Sequence, residues 1–509
     1  MPNTNSPMYG YTLEPGVRPE SELNASADPW AGGEARDLPI WTPQQIAAHL
    51  NRSGFAWDAK ETADGVLTYG FYSGPRTTGI YNNPHEAAET YGYTPMSAAQ
   101  QAATREALAY WDDLIPLRFQ ESAQGHGAWD LAFATTTTGP GQAWAYLPHG
   151  DAYGNKYQHI QGDVWINPGP VSGVQLNDGF YGMQTLTHEI GHALGLSHPG
   201  DYDASDDVEL TYALADYYQD SRQYTLMSYW DSYETGARHI DWSLMRYVYS
   251  PTPMVHDVAA IQRTYGVDTT TRTGDTTYGF NWSADLADRT AFQLTANELA
   301  PVFTIWDAGG TDTLDLSGYK TGSYIDLNPG AFSSAGGSDR FLTLAEINAN
   351  NAAAGLPART EYLYEVYNNG VEGVNGGLSW KEIVGATDAL MHDNIAIAYG
   401  AWIENAVGGS GNDTLVGNAV NNRLTGGAGL DRFVFKAGFG DDVIADFQGG
   451  RGAGDVIDLT ALDGLSSWRD VQAHLSSNAA GDAVLTFGDD TITLKGVGLR
   501  TLAADDFLF

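Results

Sequence analysis

Three histidines and one glutamate in a short stretch of the chain have the spacing of a catalytic zinc site. His188 and His192 are one helical turn apart, so both imidazoles can reach one ion. Glu189 follows the first ligand, where it can contact a zinc-bound water and act as general base. Gly195 can end the helix in a left-handed turn, which lets His198 complete a tripod. The pattern predicts one catalytic Zn²⁺ with a fourth position left for water.

This extended motif is more specific than HExxH alone, which arises by accident in many helices. The alternative is a surface helix with scattered histidines. An apolar face on this helix argues against that alternative, because it would bury the helix against a core. Its residues are Leu186, Ile190, Ala193 and Leu194.

A second segment, Tyr224–Trp230, lies downstream and contains Met-Ser-Tyr. Together with the zinc motif it resembles the Met-turn of metzincin proteases, and within that clan the serralysin family. The resemblance implies that Met227 is a packing floor beneath the metal, although an ordinary core methionine would look the same. It also implies that Tyr229 is a mobile zinc ligand that stabilises the oxyanion.

The resemblance extends to a segment that alternates small and aromatic residues and is similar to the edge strand of the serralysin cleft. Such a strand can hold an extended peptide by strand addition, although an aromatic core strand would have the same composition. The predicted substrate contacts are Ala143, Trp144, Ala145 and Tyr146.

Residues 408–434 form three nine-residue repeats, of which the outer two match the calcium-binding RTX pattern. Leu415, Leu424 and Phe433 recur at the same repeat position, which neither a glycine linker nor chance would require. The middle copy lacks its second glycine and its aspartate, so weak or shared calcium binding is expected there. For the whole segment 408–434, the alternatives are a flexible glycine linker and a β-solenoid that binds no metal. The predicted calcium residues are Gly409, Gly411, Asp413, Gly426, Gly427, Gly429 and Asp431.

A further calcium site is implied by resemblance to the C-terminal domain of serralysins. The family usually has threonine where this chain has Trp402, but a backbone carbonyl could serve there. The implied residues are Arg272, Gly274, Thr276, Asp307, Gly309, Gly310, Asp312, Trp402 and Glu404.

The composition limits the classes of partner. With 25 Lys+Arg against 63 Asp+Glu the net charge is −38, which disfavours nucleic acid and anionic membranes. The acidity fits calcium-loaded turns or a saline habitat equally well. No cysteine is present, which excludes disulfides and thiolate metal sites, and no apolar run is long enough to span a membrane.

The chain is expected to divide into three parts and to adopt an α+β fold. Residues 1–36 are a leader, either a propeptide or a plain flexible tail. Residues 37–265 are a metzincin catalytic domain with a mixed sheet and the active-site helix. Residues 266–509 are an all-β parallel β-roll with several Ca²⁺ ions, interrupted by an insertion at about 333–394. That insertion is expected to be a loop excursion rather than an accessory surface, and the tyrosine-rich stretch before Tyr224 a surface loop.

The last four residues, Asp506–Phe509, resemble the C-terminal type I secretion signal of RTX exoproteins, although a buried final strand is equally compatible. The resemblance therefore implies a secreted, monomeric zinc endopeptidase that hydrolyses extracellular proteins and is exported by the type I secretion machinery. One alternative is a calcium-dependent RTX adhesin or matrix-binding protein with an inactive zincin domain, which intact Glu189 disfavours. Another is a zinc enzyme acting on a non-peptide amide, against which the predicted edge strand argues.

Overall fold

Local capping signals start the first helices where the sequence places them. In the computed structural model, helix α1 (Pro43–Leu50) begins after Thr42, whose hydroxyl accepts the backbone N–H of Gln45 at 3.1 Å. Helix α2 (Ala98–Asp112) begins after Ser97 in the same way. The structure describes residues 38–57, 65–74, 88–122, 129–139, 141–149, 160–202, 211–295 and 299–509, so the expected leader 1–36 lies outside it.

The first half of the chain contains a mixed sheet, as predicted. Its strand order is β3-β1-β4-β6-β5, with β2 beside β4, and parallel pairing dominates except at β2 and β5. Strand β5 is therefore an edge. The strands are β1 (Val66–Phe71), β2 (Tyr93–Thr94), β3 (Arg118–Glu121), β4 (Leu131–Thr136), β5 (Ala143–Ala145) and β6 (Asp163–Ile166).

Helix α3 (Tyr181–Ala193) carries the zinc motif and packs against α2 and the edge of this sheet. Its apolar face is fully buried at Leu186 and Ile190, and the indole of Trp111 donates a hydrogen bond to Thr187 O at 3.0 Å. Helix α4 (Val255–Tyr265) closes the first half by packing on α1. The apolar face read from the sequence is thus the face that fixes the zinc helix.

The tyrosine-rich stretch before Tyr224 lies partly at the surface over residues 211–216, as expected of a loop, but its second part does not. Tyr217, Tyr218, Asp220 and Ser221 are buried. Several of their polar groups have internal partners: Ser221 Oγ and Thr235 Oγ1 are 2.5 Å apart, and Asp220 accepts the hydroxyl of Tyr202 at 2.9 Å. Burying polar groups costs little when each has a partner, and composition alone cannot reveal those partners.

The second half of the chain contains two sheets of mostly parallel strands. One has the order β23-β24-β25-β21-β19-β17-β11-β9, and the other β12-β18-β20-β22-β26. Successive repeats alternate between them: Leu415 and Phe433 pair in one sheet, Leu424 lies in the other, and all three are fully buried. The strands are β9 (Thr277–Gly279), β11 (Thr313–Asp315), β12 (Tyr324–Asp326), β17 (Asn405–Val407), β18 (Thr414–Val416), β19 (Arg423–Thr425), β20 (Arg432–Lys436), β21 (Asp441–Ile444), β22 (Val456–Ala461), β23 (Leu475–Ser477), β24 (Ala483–Phe487), β25 (Asp490–Leu494) and β26 (Phe507–Leu508).

Short strands complete the junction between the halves. Strands β10 (Phe303–Ile305), β16 (Ile395–Ile397) and β13 (Phe332–Ser333) form one small sheet. Two further pairs are β7 (Ile240–Asp241) with β8 (Arg246–Tyr247), and β14 (Gly337–Ser338) with β15 (Ala389–Leu390). Helix α8 (Trp468–His474) lies against β24. At the C-terminus, β26 pairs with β22 and Phe507 is buried, so these residues do form a final strand.

The expected loop excursion contains helices, so that expectation is wrong. They are α5 (Leu344–Ala353), α6 (Glu361–Asn368) and α7 (Trp380–Ile383). Ile347, Val366 and Tyr367 form a separate apolar cluster with Trp242 and Met245 of the first half. Across the described ranges, no helix is long and apolar enough to cross a membrane.

Candidate active site and metal sites

The zinc motif brings its three imidazoles together. His192 Nε2 lies 3.0 Å from His198 Nε2, which lies 3.3 Å from His188 Nε2. One nitrogen from each ring falls within 4.8 Å of the others, a cluster that one ion can occupy. Three converging nitrogens without thiolates fit Zn²⁺, the metal that imidazole tripods hold in catalytic sites.

Each ring is oriented by a backbone carbonyl on its far side. His188 Nδ1 lies 2.7 Å from Leu226 O, and His192 Nδ1 lies 2.7 Å from Leu196 O. His198 Nδ1 lies 2.9 Å from the carbonyl of Tyr202. Nδ1–H donation to a carbonyl leaves the Nε2 lone pair for the metal.

Gly195 makes the turn that returns the third histidine. Its φ is +103°, a region that L side chains avoid, and an added Cβ would lie 2.2 Å from Phe55 O. The backbone N–H of Leu196 donates to Gly191 O at 2.9 Å, closing the helix end. The expected helix stop is therefore present.

Glu189 is buried, and its Oε2 has no hydrogen-bond partner in the described part of the chain. Burial raises the pKa of Glu189 to about 8. Burial also lowers the pKa of His192 to about 4, and that of His188 well below its usual value. Neutral imidazoles are the form that binds a metal, and a bound cation would lower the pKa of Glu189 again.

The Met-turn packs directly beneath the zinc helix. Met227 is fully buried, and a Cβ on Gly191 would lie 2.8 Å from its sulfur. Buried Asp257 fixes the turn by accepting the backbone N–H of Leu226 at 2.7 Å and that of Met254 at 2.9 Å. Sequence reasoning missed this anchor, although an acid in the first turn of α4 that accepts the N–H of Met254 is a local helix-start signal.

Tyr229 lies beside the histidines, with ring centroids 4.4 Å from His198 and 6.3 Å from His188. Tyr202 stacks on His198 at 5.6 Å. Buried Asp220 holds this layer, since it accepts the hydroxyl of Tyr202 at 2.9 Å and the indole N–H of Trp230 at 3.2 Å. Asp220 was also missed from sequence, where it is one acid among many.

The predicted substrate strand is the exposed edge of the mixed sheet. Within the described ranges β5 pairs with β6 on one side through Ala143, Trp144 and Ala145, and it also packs near α3. The hydroxyl of Tyr146 donates to Glu89 Oε1 at 2.7 Å, within an aromatic cluster. The side chain of Tyr146 is therefore bound within the protein, whereas no described strand pairs with the outer edge of β5.

The residues of the implied first calcium site converge from three segments. Asp312 Oδ1 accepts the N–H of Thr276 at 2.7 Å, and Glu404 Oε2 accepts the N–H of Asp312 at 2.7 Å. Asp307 Oδ1 accepts the N–H of Gly309 at 2.9 Å. Asp312 Oδ2 is enclosed without a partner in the described ranges, and burial raises the pKa of Asp312 to about 8. This oxygen-only set fits Ca²⁺.

The other implied members of that site stand around these carboxylates. A Cβ on Gly310 would lie 2.5 Å from Gly274 O, so the two loops touch. Arg272 has a φ of +47°, and its guanidinium pairs with Asp113, which leaves only its backbone for a cation. Trp402 is half-buried two residues before Glu404.

The repeat aspartates form a ladder across β18 and β20. Asp413 Oδ1 accepts the N–H of Ser323 at 2.6 Å, and Asp431 Oδ1 accepts the N–H of Asp413 at 2.9 Å. Asp431 Oδ2 is enclosed without a partner among the described residues. A Cβ would fall within 2.4 Å of a backbone atom or of the Asp431 carboxylate at Gly409, Gly411, Gly426, Gly427 and Gly429.

The ladder continues into residues that the nine-residue pattern did not reveal. Asp455 accepts the N–H of Asp431 at 3.0 Å, and Asp446 accepts that of Gly427 at 2.8 Å. On the other sheet, Asp442 accepts the N–H of Asn422 at 2.6 Å, and burial raises the pKa of Asp442 to about 8. Extra residues between these turns break the period, so a search for exact repeats passes over them.

Comparison with known proteins is decisive for the family. The model "Peptidase M10 serralysin C terminal" matches residues 267–358 and 384–499, and the model "Matrixin" matches residues 87–205. Metallopeptidase AprA of Pseudomonas marginalis is 34% identical over 496 residues, covering 92% of this chain and 87% of that protein. The chain belongs to the serralysin family.

Further relatives agree. Metalloprotease AprA of Pseudomonas entomophila (strain L48) is 34% identical over 77% of this chain and 67% of its own length. Serralysin of Proteus mirabilis is 33% identical over 76% of this chain and 67% of its own length. This serralysin is thus a metalloendopeptidase, and the family implies zinc as its metal. Its segment 359–383, which contains α6 and α7, falls between the matched parts of the C-terminal model.

Proposed function

We propose that this serralysin is a secreted zinc endopeptidase in which Glu189 is the general base. His188, His192 and His198 hold the metal, and the observation that carries the proposal is their convergence beside a buried carboxylate with a free oxygen. When bound, Zn²⁺ supplies a Lewis acid that polarises the scissile carbonyl and acidifies water.

Glu189 and Tyr229 have separate roles, one in proton transfer and the other in stabilising negative charge. Glu189 takes a proton from the attacking water and passes it to the leaving amine. The hydroxyl of Tyr229 donates a hydrogen bond to the oxyanion that forms on the scissile carbonyl, and it can also approach the metal as a further ligand. Met227 and Gly195 have no chemical step and serve to hold the ligands in place.

Substrate binding is assigned to the open edge of β5. An extended peptide adds a strand there, so that main-chain groups of Ala143, Trp144 and Ala145 hold it beside α3. Such pairing recognises backbone rather than sequence, and side-chain preference must come from other parts of the cleft.

The two mostly parallel sheets are proposed to be a calcium-binding β-roll. Enclosed oxygens without partners at Asp312, Asp431 and Asp442 support cations between the turns. With residues 37–265 as catalytic domain and 266–509 as roll, calcium would couple folding to export, since a low-calcium interior leaves the roll unfolded. The terminal strand at Phe507 would carry the secretion signal while also closing the roll.

Tyr229→Phe tests the assigned chemistry. With casein and a peptide substrate we expect kcat to fall about 100-fold with little change in KM, because one oxyanion donor is removed. Tyr91→Phe, at a side chain that is 67% exposed, should leave kcat unchanged. Equal kcat for Tyr229→Phe and the unmodified enzyme would remove Tyr229 from the mechanism. Zinc-loaded protein that cleaves neither substrate would instead favour the adhesin with an inactive zincin domain.

A further inference from the structure

Two carboxylates outside the sites above meet at one hydroxyl where three segments of the chain converge. Glu106 belongs to α2, Asp178 stands just before α3, and Thr290 comes from the second half of the chain. Thr290 Oγ1 contacts both Glu106 Oε1 and Asp178 Oδ2. The cluster therefore connects the base of the zinc helix to the C-terminal half.

A fourth oxygen completes the cluster. Tyr110 Oη lies 3.1 Å from Glu106 Oε1 and 3.5 Å from Asp178 Oδ2, and it accepts the backbone N–H of Ala291 at 3.0 Å. Tyr110 and Thr290 together offer two hydroxyl hydrogens, one for each carboxylate. Neither hydrogen neutralises a charge.

The two negative charges have no basic partner in the described ranges. Arg105 pairs with Glu121, and Arg289 pairs with Asp113 and Asp288, so the nearest arginines along the chain are engaged elsewhere. Asp178 Oδ1 is enclosed and has no hydrogen-bond partner in the same part of the molecule. Two carboxylates that meet at one hydroxyl without a basic partner, one of them with an enclosed oxygen that lacks a hydrogen bond, need a cation or a shared proton between them.

Space beside the cluster favours the cation. Asp178 and Thr290 line a cavity of about 690 Å³, together with Asn177, Ala291 and Gln293. Coordinating water can therefore reach Asp178 and Thr290 from the cavity and complete a shell that protein oxygens begin. Oxygen donors without nitrogen or sulfur select a hard cation, and a site of irregular geometry suits Ca²⁺ better than Mg²⁺.

We propose that Glu106, Asp178 and Thr290 bind a calcium ion, with the hydroxyl of Tyr110 hydrogen-bonded to the ligating carboxylates. The ion fastens α2 and the segment that leads into the zinc helix to the C-terminal half of the chain. The ion is separate from the calcium positions of the roll. Because it joins the two halves, its binding also affects the stability of both.

Calcium stoichiometry of the full-length protein is the first test. Asp178→Asn and Glu106→Gln should each bind one Ca²⁺ fewer per chain than the unmodified protein in equilibrium dialysis. Asp288→Asn is the matched control, because it removes the same charge from a neighbouring carboxylate whose side chain is 80% exposed. An unchanged calcium count in both cluster variants would overturn the proposal and favour a shared proton.

Crystals of the unmodified chain provide a second test that does not depend on the variants folding. After soaking with Tb³⁺, which replaces Ca²⁺ at oxygen sites, an anomalous peak is expected between the carboxylates of Glu106 and Asp178. Peaks at the roll positions without one at this cluster would contradict the assignment. Because neither readout measures proteolysis, failure here leaves the zinc chemistry unaffected.

Discussion

Gly191 sits directly above Met227, at a distance where a Cβ on the glycine would approach the sulfur to 2.8 Å. The indole of Trp111 would lie 3.1 Å from the same Cβ, so the methyl group has no free space on this face of α3. Since Gly191 precedes His192, crowding here would also displace a metal ligand. The close packing of Met227 beneath the zinc site therefore requires that Gly191 has no side chain.

Gly191→Ala should destabilise the protein by about 1–3 kcal/mol, the range for overpacking a filled core, and should weaken zinc binding. Urea unfolding in saturating zinc and calcium measures the first effect, and competition with a chromophoric chelator measures the second. Met227→Leu keeps the volume and should cost less than about 1.5 kcal/mol. Zinc affinity that is unchanged in Gly191→Ala would show that the ligands tolerate a shift of the helix.

Asp220→Ala should weaken zinc binding although Asp220 touches no ligand. It leaves the hydroxyl of Tyr202 and the indole of Trp230 without their acceptor, at a cost of about 1–3 kcal/mol for each buried donor. Tyr202 in turn provides the carbonyl that orients His198. A chelator titration reports the loss, and Asp216→Ala, at an exposed acid nearby, is the control. Equal zinc affinity in both variants would mean that Tyr202 keeps its position without Asp220.

His256 is expected to make the protein sensitive to acid. Burial lowers its pKa to about 3, between the stacked rings of Tyr224 and Tyr399. Because the unfolded chain binds this proton more tightly, folding stability is complete above about pH 6.5 and falls by about 1.4 kcal/mol per pH unit below it. His256→Phe keeps the stacking and should reduce that slope in unfolding experiments between pH 7.5 and 5. Parallel slopes for the two proteins would contradict the expectation.

Calcium removal should unfold the C-terminal sheets before the catalytic half. Burial raises the pKa of Asp431 to about 6, and the nearby charges of Asp455 and Asp413 add to the shift, so the carboxylates repel one another without a cation. Asp431→Asn should raise the calcium concentration needed for half-maximal folding, as followed by circular dichroism, whereas Asp463→Asn at an exposed position should not. An identical thermal melt in chelator and in calcium would exclude a structural role for the metal.

Features carried by local spacing were open to prediction from sequence. Thr42 with Gln45 sets the start of α1, and the period of Leu415, Leu424 and Phe433 sets alternate strands of two sheets. His188 and His192 lie on one face of α3 for the same geometric reason, with ring centroids 4.7 Å apart. In each case, neighbours in sequence are neighbours in space.

Partners that are distant in sequence could not be predicted. Asp257 of α4 accepts the N–H of Leu226 in the Met-turn. The apolar residues around Tyr367 pack against Trp242, which is more than a hundred positions away in the chain. The prediction of a loop excursion at about 333–394 is wrong for that reason. Helices this short are stabilised by packing against another surface, and the sequence does not show which surface lies beside them. Glu106 and Asp178 likewise gain meaning only when Thr290 brings them together.

Glu189→Gln tests most directly whether Glu189 performs the proton transfer. Gln keeps the shape and the hydrogen-bonding capacity but cannot accept the proton, so kcat/KM on casein-derived peptides should fall by at least about 10³-fold. Zinc content should stay near one ion per chain, because the three imidazoles and their carbonyl supports are untouched. Activity within about tenfold of the unmodified enzyme, with zinc still bound, would contradict Glu189 as the base.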